Sequence, residues 1–175
     1  VILSALLAIF TTNVVDVGFI TRYMVTSYDS FPILAIPLFM VAGEIMSRGG
    51  ITERLFDLAR LVVGRFTGGI PMAVVVSCLM FGALSGASTA SVAAIGIITI
   101  PAMVNMGYDK VFATSLVAAA SSLAVIMPPS LPLIMYGVSS TQSIGTLFLA
   151  GVIPAVLITS LFMLYSSVYC RMKGY

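Results

Sequence analysis

From Gly69 to Met106 the sequence is apolar almost without a break, and no other feature limits the possible folds so strongly. A helix crossing a bilayer takes about 20 apolar residues at ~1.5 Å of rise each. The run is too long for one such helix and rather short for two complete spans with a loop. Its middle, Ser85 to Ser91, reads S-G-A-S-T-A-S, seven small residues of which four carry hydroxyls. Two half-length helices meeting at that polar tip fit the length, as a re-entrant hairpin that enters and leaves on one side. Two full spans would return the chain to the same side, so charge alone does not choose between them; length and the tip favour the hairpin.

Composition fixes the medium. The 175 residues are 60% hydrophobic and 8% charged, with a mean hydropathy of +1.16, whereas soluble domains carry roughly 25% charged residues. Too few charges exist to coat a soluble surface, so the reading is an all-α integral membrane protein. A net charge of +2 without a dense basic cluster gives no reason to expect nucleic acid. Cys78 and Cys170 lie far apart in apolar surroundings and read as packing residues. The chain has no His, which argues against a metal-hydrolase site. The opening run Val1 to Phe10 lacks a basic region and a cleavage motif, so it is not a signal peptide. It reads as the tail of a helix whose beginning is missing, and a fragment is expected.

The remaining passes follow from punctuation and charge. Residues 13 to 30 are mixed and contain Asp16, Arg22 and Asp29. Ser30 is a candidate N-cap with Pro32 in the first turn, and Phe31 to Met46 reads as a membrane helix stopped by S-R-G-G at 47 to 50. Leu55, Leu58, Ala59, Val62 and Phe66 then share one helical face, with Glu53, Asp57, Arg60 and Gly64 opposite. That pattern predicts an amphipathic helix in the interface plane or an arm bracing two bundles; a plain connector is the alternative. Arg48, Arg54, Arg60 and Arg65 mark the cytoplasmic side, and Lys110, Arg171 and Lys173 fall there too. Val111 to Met127 begins the next helix, P-P-S-L-P at 128 to 132 interrupts it, and Leu133 to Gly137 resumes it. Ile144 to Tyr169 is a full span.

Backbone that leaves helical geometry inside a bilayer exposes unpaired polar groups, tolerated only against protein or a wet cavity. The S-G-A-S-T-A-S tip and the P-P-S-L-P break are therefore expected to face each other. Together they offer hydroxyls, free carbonyls and half-helix N-termini; the oxygens suit a hard cation such as Na⁺, and the N-termini suit a carboxylate. The expected Na⁺ ligands are Ser85, Ser88 and Thr89, carbonyls near Met127 and Pro128, and the Ser130 hydroxyl, with Gly86 and Pro129 in the same cation and substrate site. No carboxylate lies in either break, so such a site is built of neutral dipoles. The competing account is close helix packing by small residues, such as Gly82 and Gly86. Glu44, near the end of its helix, reads as interfacial, and the Met residues as packing or lipid-facing.

The stretches "SFPILAIPLFMVAGEIMSRGGITERL", "FGALSGASTASVAAIGIITIPAM", "IMPPSLPLIMYG" and "SIGTLFLAGVIPAVL" are more specific than these patterns. In order, and over essentially the whole chain, they resemble the large membrane subunit of tripartite ATP-independent periplasmic (TRAP) transporters. The resemblance implies the first of two inverted repeats of an elevator-type transporter, with the hairpin tip at 85 to 91 and the discontinuous helix broken at 128 to 132. It implies a scaffold-like part at 1–68, a transport-like part at 69–143 and a closing helix at 144–175. It further implies Na⁺-coupled import of organic acids, such as C4-dicarboxylates or sialic acid, across the bacterial inner membrane. The implied partners are a small membrane subunit and a periplasmic substrate-binding protein. No cofactor is implied beyond Na⁺ as coupling ion. The second hairpin has no counterpart in this stretch. A channel or passive pore built from re-entrant loops is the alternative function. An enzyme is disfavoured, because no Ser/His, paired Asp or metal cluster is present to do chemistry.

Overall fold

The computed structural model describes residues 31–175 and, within the preceding stretch, Gly18 alone; side chains are described from Pro37 onward, apart from Phe39. The expectations for Val1 to Phe10, for residues 13 to 30 and for the Ser30 cap lie outside the described residues. Two compact units divide the chain between Ala35 and Ile36, and the helical bundle is the unit Ile36–Tyr175.

All described regular structure is helical. The helices are α1 (Phe31–Arg48), α2 (Ile51–Val63), α3 (Gly69–Ser85), α4 (Ser88–Asn105), α5 (Lys110–Ala120), α6 (Leu123–Ile126), α7 (Leu131–Ser140) and α8 (Ile144–Lys173). The first stop is the one the sequence encodes: Gly49 donates to the Ile45 carbonyl at 2.9 Å and Gly50 turns with φ +75°. Glu44 is exposed and pairs with Arg48 at 2.8 Å, an i,i+4 pair worth about 0.3–0.5 kcal/mol.

α3 is the centre of the bundle. It is apolar on every side, and Met72, Ala73, Val74, Val75, Cys78 and Phe81 are all buried, as expected of a helix covered all round. It packs against α2, α4, α5, α6 and α8. In a bilayer the lipid is as apolar as leucine, so helices associate through close fit instead of burial from water. Gly82 shows how: a Cβ there would stand 2.4 Å from Ala124 Cα. The packing account of that glycine therefore holds. Cys78 and Cys170 are free and buried.

The outer helices are one-sided. α4 buries Ser91, Ile95, Gly96, Thr99 and Met103 and turns Ile97 outward, 76% exposed. α8 buries only Ala155, Thr159, Ser166 and Cys170, while Leu149, Ile153, Leu157, Leu161 and Leu164 are exposed. Such a face would be costly in water and costs nothing in lipid.

The base of the α3–α4 hairpin is held against the end of α8. Phe112 stacks on Tyr169 with centroids 4.1 Å apart, and Tyr108 meets Tyr175 at 4.8 Å. Arg171 donates to the Thr67 hydroxyl at 3.3 Å. Gly68, at φ +78°, packs closely on α8, where a Cβ would stand 3.1 Å from the Ser166 carbonyl oxygen. Asp109 caps α5 by accepting from the Val111 N–H at 3.3 Å.

Two expectations need correction, and for the arm helix the structure divides the expected face. α2 buries Thr52, Phe56, Ala59 and Val63, so of that face Ala59 is inside, while Leu58 and Val62 are 47% and 66% exposed. The helix has two adjacent apolar stripes that share Ala59, and the one carrying Phe56 and Val63 is turned to the bundle. The helix expected to run from Val111 to Met127 is interrupted at Ser121–Ser122, where Ser122 donates its hydroxyl to Ala119 at 2.6 Å and the backbone tightens to i→i+3 bonds. Serine hydroxyls compete with the helix ladder for carbonyls in this way. Finally, the non-helical tip is only Gly86–Ala87, because Ser88 to Ser91 already form the first turn of α4.

Candidate functional site

The hairpin tip and the proline break meet. Gly86 ends α3 with φ +64°, its N–H on the Gly82 carbonyl at 2.7 Å. The left-handed turn favours glycine, and so does the space, since a Cβ at 86 would stand 2.5 Å from the Pro129 carbonyl oxygen. The Gly86 carbonyl accepts from the Leu131 N–H at 3.4 Å. Ala87 is extended, and α4 starts at Ser88.

The break follows from its prolines. Pro128 and Pro129 have no N–H, so the carbonyls of Ala124 and Val125 lose their i+4 donors. Ser130 repairs one loss: its hydroxyl donates to the Val125 carbonyl and accepts from the Leu133 N–H at 3.4 Å, capping α7. Its fully buried side chain thus has two structural bonds already. The Pro128–Pro129 peptide is cis. Among the described residues, the carbonyls of Met127, Pro128 and Pro129 accept no hydrogen bond.

The two helix N-termini at this meeting point differ. At α7, Leu131 N–H is bonded to Gly86, Pro132 has none to offer, and Leu133 N–H is bonded to Ser130. At α4 the cap is Ala87, which has no polar side chain, and the N–H groups of Ser88, Thr89 and Ala90 have no partner among the described residues. The free positive helix end is therefore that of α4.

Among the described residues three buried hydroxyls lack a partner: Thr52 on α2, away from this contact, and Ser85 and Ser91 beside it. Elsewhere Ser77, Thr99, Thr159 and Ser166 each donate to the carbonyl four residues back. Ser85 and Ser91 are buried, and their hydroxyls find no partner, a state that costs about 1–3 kcal/mol each when left unmet. Ser85 also sits against α1, where a Cβ on Gly43 would be 3.1 Å from its own. Ser88 is half-buried and Thr89 exposed at the start of α4. Ser91 belongs to the polar stretch but not to the expected ligand set; its i+4 spacing to Ile95 and Thr99 is the signal that it points inward. The site thus brings Ser85, Gly86, Pro129 and Ser130 around one contact, with Met127 and Pro128 in the same break. Neither tip nor break contains a titratable side chain, and its donor atoms are hydroxyl and carbonyl oxygens.

Paired interruptions inside a packed, outwardly apolar helical bundle define a polytopic membrane protein with non-helical backbone sheltered by protein. Among the described residues three helical stretches are long and apolar enough to cross a bilayer: Ser88–Asn105, the interrupted Lys110–Ser140, and Ile144–Lys173. The family model described as "Tripartite ATP-independent periplasmic transporter, DctM component" matches residues 1–175, and the chain belongs to that family. The chain is 43% identical over 173 residues, 99% of its length, to the isethionate TRAP transporter permease protein DctMQ of Oleidesulfovibrio alaskensis. It is 37% identical over 174 residues, again 99% of its length, to the sialic acid TRAP transporter large permease protein SiaM of Vibrio cholerae. It is 39% identical over 145 residues, 83% of its length, to the C4-dicarboxylate TRAP transporter large permease protein DctM of Pseudomonas aeruginosa. These matches cover 27%, 41% and 34% of the respective relatives, so the chain spans well under half of each. The relatives are transporter permeases and not enzymes.

Proposed function

We propose that this chain is half of an elevator-type permease that imports an organic acid with Na⁺ across a bacterial inner membrane. In this reading α3 and α4 form a re-entrant hairpin. The supporting observation is the level at which the tip stops. It touches the break at Pro129 and Leu131, and Gly151 of α8 lies against the same break, a Cβ there being 2.8 Å from the Ile126 carbonyl oxygen. Beyond that level α7 continues from Leu131 to Ser140, and α8 has already run from Ile144, so roughly 10–15 Å of helix lies past the tip.

Na⁺ would be held by the Ser85 hydroxyl and the free carbonyls of Met127, Pro128 and Pro129, with Ser88 and Thr89 at the edge. Ser130 contributes more by shaping the break than by its hydroxyl, which is already bonded twice. A substrate carboxylate would find its charge complement at the open N-terminus of α4. The names of the relatives, which specify isethionate, sialic acid and C4-dicarboxylate, support an organic acid. A small membrane subunit and a periplasmic substrate-binding protein would complete the transporter.

The test is uptake by the complete transporter in vesicles, with Na⁺ replaced by choline, for the parent and for Ser85→Ala. The parent should stall without Na⁺. Ser85→Ala should raise the Na⁺ half-saturation about ten- to hundredfold, the loss of one charge–dipole contact, and because no site group titrates, the parent's value should hold between about pH 6 and 8. Uptake that follows only the electrical gradient, without need of Na⁺, would refute the symporter in favour of a pore.

A further inference from the structure

Among the described residues the second apolar stripe of α2 is unpartnered. Thr52, Phe56, Ala59 and Val63 face the bundle. Arg54, Leu58, Leu61 and Arg65 come at i, i+4, i+7 and i+11, one line along the helix surface, with Val62 beside it. Gly64 keeps helical φ and ψ, so the line continues nearly to Arg65. All of these residues are exposed, Leu61 at 77%. Glu53 and Asp57 lie on the other edge with Arg60, whose guanidinium sits 5.8 Å from the centre of the Phe56 ring. The exposed row therefore has an arginine at each end and leucines between, with Asp57 bordering it beside Arg54 and Leu61.

We infer that this row of α2 docks on anionic phospholipid of the adjoining leaflet, with Leu58, Leu61 and Val62 at the acyl boundary and Arg54 and Arg65 on headgroup phosphates. Charge complementarity selects this occupant. A helix with one face on protein and an arginine-ended apolar stripe outward is built for an interface, and the guanidinium fork matches phosphate oxygens. The long aliphatic stems let both arginines reach the headgroups while the leucines stay in the acyl layer. The inference depends on the membrane reading and not on which solute is carried.

The test uses the complete permease in phosphatidylcholine vesicles, with Leu61→Cys or Val62→Cys carrying a fluorophore; the native Cys78 and Cys170 are buried. Quenching is compared for doxyl-labelled phosphatidylglycerol and doxyl-labelled phosphatidylcholine at equal mole fraction. Phosphatidylglycerol should be preferred, with each arginine contributing about fivefold. Arg54→Gln and Arg65→Gln should each remove their share, and Arg60→Gln should leave the preference intact. Equal quenching by both lipids would overturn the inference. So would quenching by neither, which would mean that protein covers the face, or a preference that survives both arginine substitutions.

Discussion

Gly86→Ala is the most direct probe of the contact between tip and break. The substitution imposes two costs that the structure separates. An alanine at φ +64° has a left-handed conformation that costs about 1–2 kcal/mol. Its Cβ must also clear the Pro129 carbonyl oxygen, 2.5 Å away. That oxygen belongs to the backbone and moves only if the tip lifts or the break shifts, an overpacking cost of about 1–3 kcal/mol. The sum is about 2–5 kcal/mol. Gly50→Ala supplies the reference, because Gly50 has φ +75° with nothing within 4 Å of a built Cβ; it suffers only the conformational strain. The assay is equilibrium or thermal unfolding of the purified permease in one detergent, parent against the two variants. Gly86→Ala should exceed Gly50→Ala by the overpacking cost. Equal destabilisation would refute the argument, since the tip would then not press on Pro129.

Two further outcomes rest on the same geometry. Ser130→Ala removes the cap of α7 and leaves the Val125 carbonyl unpaired, and should destabilise by about 1–3 kcal/mol; Ser139→Ala, an exposed hydroxyl bonded only to Met135 of its own helix, should stay within about 0.5 kcal/mol. Phe56→Ala should cost about 3–5 kcal/mol by emptying the contact between arm and bundle, whereas Leu58→Ala should change the melting temperature little, and a larger effect at Leu58 would make its stripe the buried one.

Much of the fold is legible in the chain because glycine and proline act locally. Gly50 and Pro128–Pro129 stop helices whatever surrounds them, so the end of α1 and the break before α7 are readable from residue identity. The scarcity of charge makes the helical membrane class readable for the same reason. The features that escape sequence reading depend on partners. Leu58 and Phe56 are equally apolar, and only the presence of α3 decides which of them is inside. The narrowing of the tip to Gly86–Ala87 is hidden because serine and threonine suit a helix's first turn as well as a loop. The Ser121–Ser122 interruption is hidden because a serine pair in an apolar helix bends it only when a hydroxyl takes a carbonyl. Nor does composition tell that Ser130 spends its hydroxyl on Val125 and Leu133 while Ser85 and Ser91 keep theirs free; that division requires the fold.

The aromatic stack at the hairpin's base has a mechanical consequence. Phe112 on Tyr169 and Tyr108 on Tyr175, with Arg171 on Thr67, fasten that end through several contacts, and the aromatic pairs contribute about 0.5–1.5 kcal/mol each beyond their area. At the opposite end, among the described residues, one backbone bond joins Gly86 to the break, the long one from Leu131, worth about 0.5–1.5 kcal/mol. The two ends of the hairpin are thus fastened by different means: the root by stacked rings, the tip by the close fit of Gly82 on Ala124 and of Gly86 on Pro129.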